Sequence, residues 1–101
     1  MTFGRVFAHR TVISGERPAL AVVHDDEGDW IVLDRQDAPA DAGDFVLCGA
    51  DELLRQDPTL REAFANVPAG YSLAREHPGG PVERTAAGRA RGAPVVRGAI
   101  R

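Results

Sequence analysis

The sequence predicts an α+β fold: a mostly antiparallel sheet of about five strands, with one or two short helices packed on one face. Short runs rich in β-branched and aromatic residues, separated by glycine and proline turn clusters, predict the strands. Residues 50–70 place apolar side chains at spacings of three, four and seven, which predicts helix. A chain of 101 residues fits one domain with one modest core.

Five runs predict strands: residues 4–13, 19–24, 30–34, 45–48 and 71–76. The second and third runs are separated by Asp25–Asp29, a loop length common in hairpins, with Gly28 in the left-handed position. They therefore predict an antiparallel hairpin, and its apolar character on both faces places it at the centre of the sheet. The last run alternates, which predicts a strand with one buried face.

The helical stretch contains Asp57-Pro58. Because Pro58 lacks an N–H and clashes with the preceding turn, one unbroken helix is disfavoured. Pro58 fits as the first residue of a second helix, with Asp57 as its N-cap. We therefore predict a short helix over Asp51–Gln56 and another from Pro58 to about Asn66. The expected core consists of Phe7, Leu20, Val22, Trp30, Val32, Val46, Leu53, Leu60, Phe64 and Leu73.

The domain is expected to cover residues 1–83, followed by a basic tail over residues 84–101. Glycine, proline, alanine and arginine dominate the chain from Val82 onward. This segment offers too little apolar surface to offset about 1–2 kcal/mol of backbone entropy per residue. We expect no regular structure from Val82 and disorder from about residue 86.

The charged residues are distributed unevenly along the chain. Residues 1–83 hold seven arginines against fifteen acids, a net of −8, and the tail carries +5, giving −3 for the whole chain. An acidic body disfavours nucleic acid, because phosphate binding needs positive charge. It favours a basic protein partner, although acidic surfaces also serve solubility alone.

The composition predicts a cytoplasmic protein with no membrane segment. No run approaches the roughly 20 apolar residues that span a bilayer, and the first residues do not resemble a signal peptide. Cys48 is the only cysteine, so no intrachain disulfide forms, which fits a reducing compartment.

No motif predicts catalysis, a metal or a cofactor. The three histidines and Cys48 lack ligand spacing, and the serines lack a nucleophile motif. The acidic loop over residues 25–29 resembles a calcium loop in composition alone and fits a hairpin turn without an ion. We therefore expect a non-enzymatic protein, with no catalytic, metal or cofactor residues.

The order of several elements resembles a known family. The segment HRTVISGERPALAVV is followed by Asp29-Trp30, by ELLRQDPTL with Asp57-Pro58, and by Pro68 and Gly70 before YSLARE. This arrangement, over about residues 9–83, resembles the immunity protein 33-like family of small bacterial domains. Two departures are Val82, where members often have a second tryptophan, and the basic tail, which has no counterpart.

The resemblance implies a protein that acts by binding, since some members neutralise secreted toxins. It implies no catalytic residues. Our hypothesis is a non-enzymatic bacterial protein-binding domain, such as a toxin-neutralising immunity protein, whose basic partner contacts Asp25, Asp26, Glu27 and Asp29. Two alternatives stay open: a small-ligand-binding protein or unassigned enzyme, and a homodimeric module joined through the apolar outer face of the central hairpin. Monomer and homodimer are both compatible with the sequence.

Overall fold

The computed structural model describes residues 5–35, 40–86 and 96–97. Its strands are β1 Val6–His9, β2 Ala21–His24, β3 Trp30–Leu33, β4 Ala40–Asp41, β5 Phe45–Cys48, β6 Tyr71–Arg75, β7 Val82–Ala86 and β8 Val96–Arg97. Its helices are α1 Arg10–Ser14, α2 Ala50–Gln56 and α3 Arg61–Asn66, with 3₁₀ turns at Ala42–Asp44 and Pro58–Leu60.

Six strands form one mixed sheet in the order β5-β1-β3-β2-β6-β7. Every neighbouring pair is antiparallel except β1 and β3, which are parallel. The α+β class and the mostly antiparallel sheet are therefore confirmed, with six strands in place of about five. Because β1 and β3 run the same way, their carboxyl ends meet at one end of the sheet.

The central hairpin is confirmed. Strands β2 and β3 pair antiparallel and lie inside the sheet, between β1 and β6. The Asp25 N–H donates to the Asp29 carbonyl over 2.9 Å to close the loop. Gly28 has φ +88°, the left-handed conformation that glycine adopts without a Cβ penalty.

The first predicted strand, Gly4–Ile13, is wrong beyond His9, because the chain turns there into α1. Gly15, at φ +82°, ends this helix, and its N–H donates to the Val12 carbonyl over 3.2 Å. Val12 is buried in the main core. Burial of this side chain by tertiary packing overrides the strand preference of a β-branched run.

The broken helix is confirmed. Helix α2 ends at Gln56, a 3₁₀ turn begins at Pro58, and α3 continues to Asn66. The Asp57 carboxylate accepts the Thr59 N–H over 3.0 Å, as expected of an N-cap residue. These elements cover one face of the sheet, where the main core includes Val22, Trp30, Val32, Leu53, Leu60, Phe64 and Leu73.

Two residues of the predicted core are not buried. Leu20 is half-buried just before β2, and Val46 is exposed because β5 is an edge strand with no neighbour on one side. The single buried face expected for the last strand is also wrong. Ser72 and Leu73 point to opposite faces and are both buried, because β6 lies between β2 and β7.

The segment from Val82, expected to lack regular structure, begins with β7. This strand pairs antiparallel with β6 from Val82 to Ala86, so the boundary predicted at residue 83 falls inside a strand. Backbone hydrogen bonds to a sheet edge do not require apolar side chains, and composition therefore missed them. The rest of the tail lies outside the described residues, except β8, which pairs in parallel with β4. Residues 36–39, between β3 and β4, also lie outside them.

Candidate functional site

The acidic hairpin loop contains the four residues that the sequence predicted to bind a partner. The Asp25 carboxylate bonds to the backbone of the loop itself: its Oδ1 accepts the Glu27 N–H over 3.0 Å and the Asp29 N–H over 2.9 Å. Asp29 is buried, and the Arg5 guanidinium donates to its carboxylate over 2.9 Å. Asp26 and Glu27 are exposed. Two of the four carboxylates therefore support the fold, and two face solvent.

The sequence carried a signal for the role of Asp25. An aspartate at the start of a tight loop accepts hydrogen bonds from backbone N–H groups two and more positions later. No comparable local signal marks Asp29, because its partner Arg5 lies 24 positions earlier in the chain.

The second candidate surface is the edge strand β5. Leu47 is 61% exposed and Val46 is 43% exposed, on opposite faces of the same strand. Exposed apolar side chains on an unpaired edge are unusual, because such an edge is a template for another strand. Within the described ranges, no strand pairs with the outer side of β5.

The hydrogen-bond pattern shows which backbone groups of β5 face outward. The Trp30 N–H donates to the Arg5 carbonyl over 2.7 Å. Since bonding direction alternates along a strand, Val6 and Ala8 turn their backbone groups toward β5, where they pair with Cys48 and Val46. The intervening residues, Phe45 and Leu47, therefore direct their N–H and C=O groups to the open edge.

Carboxylates flank this edge at both ends. Asp41 and Asp44 precede β5, and Asp51 and Glu52 follow it at the start of α2. Asp44 pairs with Arg10 over 3.4 Å, and the other three are exposed. A basic segment laid along β5 would meet a negative charge at each end.

A buried polar array lies at the carboxyl ends of β1 and β3. Asp34 accepts the Thr11 hydroxyl over 2.7 Å and the Arg35 Nε–H over 2.6 Å. The Thr11 hydroxyl also lies 2.9 Å from Nδ1 of His9, whose side chain is 3% exposed. The Thr11 backbone N–H also donates to Nδ1 of His9 over 3.4 Å, and Nε2 of His9 lies 3.3 Å from Nη2 of Arg35.

The array has a clear electrostatic consequence for Asp34. Burial alone would raise the pKa of this carboxyl group, but hydrogen bonds from Arg35 and Thr11 outweigh it and lower the pKa below the usual value. The same contact raises the pKa of Arg35. The polar atoms of His9, Thr11 and Asp34 are thus engaged with one another, which is the pattern of a structural network.

Two aromatic side chains of the central hairpin, His24 and Trp30, also support the fold. Trp30 is buried, as predicted for a core side chain, and contacts Phe64 edge to face. His24 stacks on Trp30 with ring centroids 3.8 Å apart, and its Nδ1 lies 2.7 Å from the Val67 carbonyl. His24 lies beside Trp30 at the start of β3, and His9 lies at the opposite end of the sheet.

Two cavities border a third polar cluster, around Arg75. One, of about 360 Å³, lies between the α3 region and β6–β7, and the other, of about 440 Å³, lies between α1 and α2. Arg75 is buried, and its guanidinium donates to Asp57 over 2.7 Å, to Thr59 over 2.6 Å and to the Ala19 carbonyl over 3.0 Å. The sequence identified Asp57 as a cap but not as the partner of Arg75.

The described residues contain neither a cluster of metal ligands nor a membrane-spanning helix. Within residues 5–35, 40–86 and 96–97, no group of three or more His, Cys, Asp or Glu side chains is arranged to hold a metal ion. No helix in those ranges is long and apolar enough to cross a bilayer.

Comparison with known proteins gives no match for this chain. No family model matches the chain, and neither the curated proteins nor the solved structures contain a match. The resemblance to the immunity protein 33-like family therefore stays a prediction from the residues. The fold and the exposed edge define a class of protein, a small α+β domain with an open edge strand flanked by carboxylates.

Proposed function

We propose that this protein is a protein-binding domain that takes up a basic, extended segment of its partner along β5. The observation that carries the proposal is the exposure of Leu47 and Val46 on an unpaired sheet edge. An extended segment added there gains main-chain hydrogen bonds from the outward groups of Phe45 and Leu47, and apolar contacts from the exposed side chains.

Charge supports a basic partner over a second copy of the chain. Antiparallel pairing of two β5 strands would bring Asp44 of one copy toward Asp51 and Glu52 of the other. Like charges across a strand pair are destabilising, and charge on an edge is a common protection against self-association. A lysine- or arginine-rich segment meets the same carboxylates with the opposite sign and is attracted at long range.

A titration with model peptides tests the proposal. The ¹⁵N-labelled protein is titrated with a decapeptide of alternating lysine and valine, and a decapeptide of alternating glutamate and valine serves as the control. We expect saturable amide shifts centred on Phe45 and Leu47 with the lysine peptide alone. Raising the salt from about 50 to about 500 mM should weaken binding, because it screens the exposed charges.

A pair of variants at one position locates the contact. Leu47→Pro removes an N–H that faces outward and leaves the bonds to β1 intact, a substitution that edge strands tolerate. Loss of this hydrogen bond is expected to weaken binding about tenfold, while Leu47→Val, which keeps the N–H, binds as the wild type does. Shifts confined to Asp26 and Glu27, or equal binding of the glutamate peptide, would reject β5 as the site.

A toxin-neutralising role is the specific form of this function that the family resemblance implies. It predicts a toxin reading frame beside this gene, and co-expression of this protein should restore growth to cells that produce that toxin. The Leu47→Pro variant should fail in that assay, and Leu47→Val should succeed. Protection by both variants alike would separate any immunity role from the edge of β5.

A further inference from the structure

One nitrogen of the buried His9 ring faces both a hydrogen-bond donor and an acceptor. Nε2 lies 3.3 Å from Nη2 of Arg35 and 3.9 Å from Oδ2 of Asp44. A guanidinium N–H donates to Nε2 only while that nitrogen lacks a proton, and Nε2 donates to a carboxylate only when it carries one. The protonation of Nε2 therefore decides which of the two side chains the ring bonds.

The other ring nitrogen belongs to the buried network. Nδ1 lies 2.9 Å from the Thr11 hydroxyl and 3.8 Å from Oδ2 of Asp34. In a charged ring Nδ1 donates to the Thr11 hydroxyl oxygen, whose own proton goes to Asp34. The His9 side chain is 3% exposed, so protein groups and not solvent must satisfy both nitrogens.

The charges around the ring leave room for one more positive charge. In the described part of the chain, the charged groups that face the ring or its carboxylate partners are Asp34, Asp44, Arg35, Arg10 and Arg17. The two aspartates and Arg35 sum to −1, so a protonated His9 brings this inner set to neutrality. The side chains of Arg10 and Arg17 are 64% and 67% exposed, and solvent and salt screen charges at such positions.

His9 also contacts the strand that carries the proposed binding edge. It lies opposite Phe45 in the register of β1 and β5, and the two rings meet edge to face with centroids 5.6 Å apart. Phe45 directs its backbone groups to the open edge, and Asp44 is one of the carboxylates that flank it. A change in the bonding of His9 therefore acts on both the backbone and the charge at the start of β5.

We propose that His9 is a pH-sensitive switch for the β5 edge. While Nε2 lacks a proton it accepts from Arg35, and the Asp44 charge attracts a basic partner. As the pH falls and the ring gains a proton, Nε2 bonds Asp44, and Arg35 keeps its bond to Asp34. The negative charge at this end of β5 is then neutralised, so a basic segment binds more weakly. The effect on binding rests on the proposed function, whereas the change of partner inside the protein does not.

Ring ¹⁵N shifts and backbone amide shifts of the free protein test the change of partner. Between about pH 7.5 and about pH 5.5, a range in which histidine side chains commonly change charge, we expect Nε2 of His9 to gain a proton. The amides of Asp44 and Phe45 should follow the same titration curve. An Nε2 with the same protonation at both pH values, or amides that do not follow the ring, overturns the proposal.

Binding of the lysine–valine decapeptide at the same two pH values tests the consequence. We expect the dissociation constant to be about threefold larger at the lower pH, the effect of one partly exposed charge pair. Asp44→Asn should bind the peptide alike at both pH values, because the ring then lacks the carboxylate that replaces Arg35. Asp51→Asn removes the same charge from the other end of β5 and should keep the threefold difference.

Two outcomes separate this proposal from the proposed function. Equal pH dependence in Asp44→Asn and Asp51→Asn overturns the switch and leaves β5 as a binding edge. No binding of the peptide by the wild type at either pH contradicts the binding role of β5 and with it the effect of His9 on binding. The ring titration then decides the change of partner by itself.

Discussion

Arg75 and Asp57 are joined by a hydrogen-bonded ion pair across 18 positions of the chain, with 2.7 Å between Nη2 and Oδ2. The Arg75 side chain is 7% exposed and that of Asp57 is 20% exposed. The same carboxylate accepts the Thr59 N–H and hydroxyl. Asp57 therefore both starts the 3₁₀ turn at Pro58 and fastens that turn to the end of β6.

Removal of Arg75 should leave the half-buried Asp57 carboxylate with its Thr59 hydrogen bonds alone. We expect Arg75→Met to lower the free energy of unfolding by about 1.5–3 kcal/mol, the range for a hydrogen bond to a charged group, measured by urea denaturation. The double variant Asp57→Ala/Arg75→Met should lose less than the sum of the two single variants, because it removes both charges. Additive losses would show that the pair contributes no coupling.

Two carboxyl groups link stability to pH. The pKa of Asp34 is lowered from the ordinary 3.8, because hydrogen bonds from Arg35 and Thr11 outweigh the effect of burial. The pKa of Asp57 is lowered from the same value, because hydrogen bonds from Thr59 and Arg75 outweigh the effect of burial. A carboxyl group whose pKa is lower in the folded state stabilises the fold at pH values above its ordinary pKa. This stabilisation is lost as the pH falls through the lowered pKa. We expect the free energy of unfolding to fall below about pH 4, and to fall less steeply in Asp34→Asn and Asp57→Asn. An unchanged slope in both variants would contradict this assignment.

The Thr11 hydroxyl connects His9 to Asp34. Thr11→Val keeps the shape of the side chain and removes that hydroxyl, so two buried polar groups lose a partner. We expect a loss of about 1–3 kcal/mol, measured by thermal or urea unfolding. Thr11→Ser retains the hydroxyl and is the matched control, and equal losses in both variants would mean that the methyl group, not the hydrogen bond, matters.

Cys48 should be a poorly reactive thiol. Burial, with the nearby charge of Glu52, raises the pKa of its thiol from 9.0 to about 11. Because the thiolate is the nucleophile, a shift of this size predicts roughly hundredfold slower reaction with a disulfide reagent at pH 8 in the folded protein than in urea. Glu52→Gln should recover a small part of that rate. Similar rates in the two states would contradict the shift.

Gly28 tests the conformation of the hairpin loop. At φ +88° an alanine is strained even though no atom lies within 4 Å of the added Cβ. We expect Gly28→Ala to cost about 1–2 kcal/mol. Gly43 has open space and no such φ, so Gly43→Ala is the control and should be close to neutral in the same denaturation experiment.

Local chemistry determined the parts of the fold that the sequence predicted correctly. The hairpin follows from two apolar runs and a loop with Gly28 at its turning point, and the helix break follows from the geometry of Pro58 and the capping carboxylate of Asp57. These features depend on neighbours within a few positions, and a pattern in the chain is sufficient to predict them.

Only the tertiary structure decided how the other strands are ordered around the central hairpin. The parallel pairing of β1 with β3 brings His9 and Asp34 together, and neither residue carries a local signal of the other. Position in the sheet also exposes Val46 on the edge strand β5 and contributes to the burial of both Ser72 and Leu73 on β6. The pairing of β1 with β3 also brings Arg5 beside Asp29, so Asp29 is a buried partner of Arg5 and not a surface charge. Strand order depends on contacts between distant parts of the chain, whose free energy no short stretch of sequence contains.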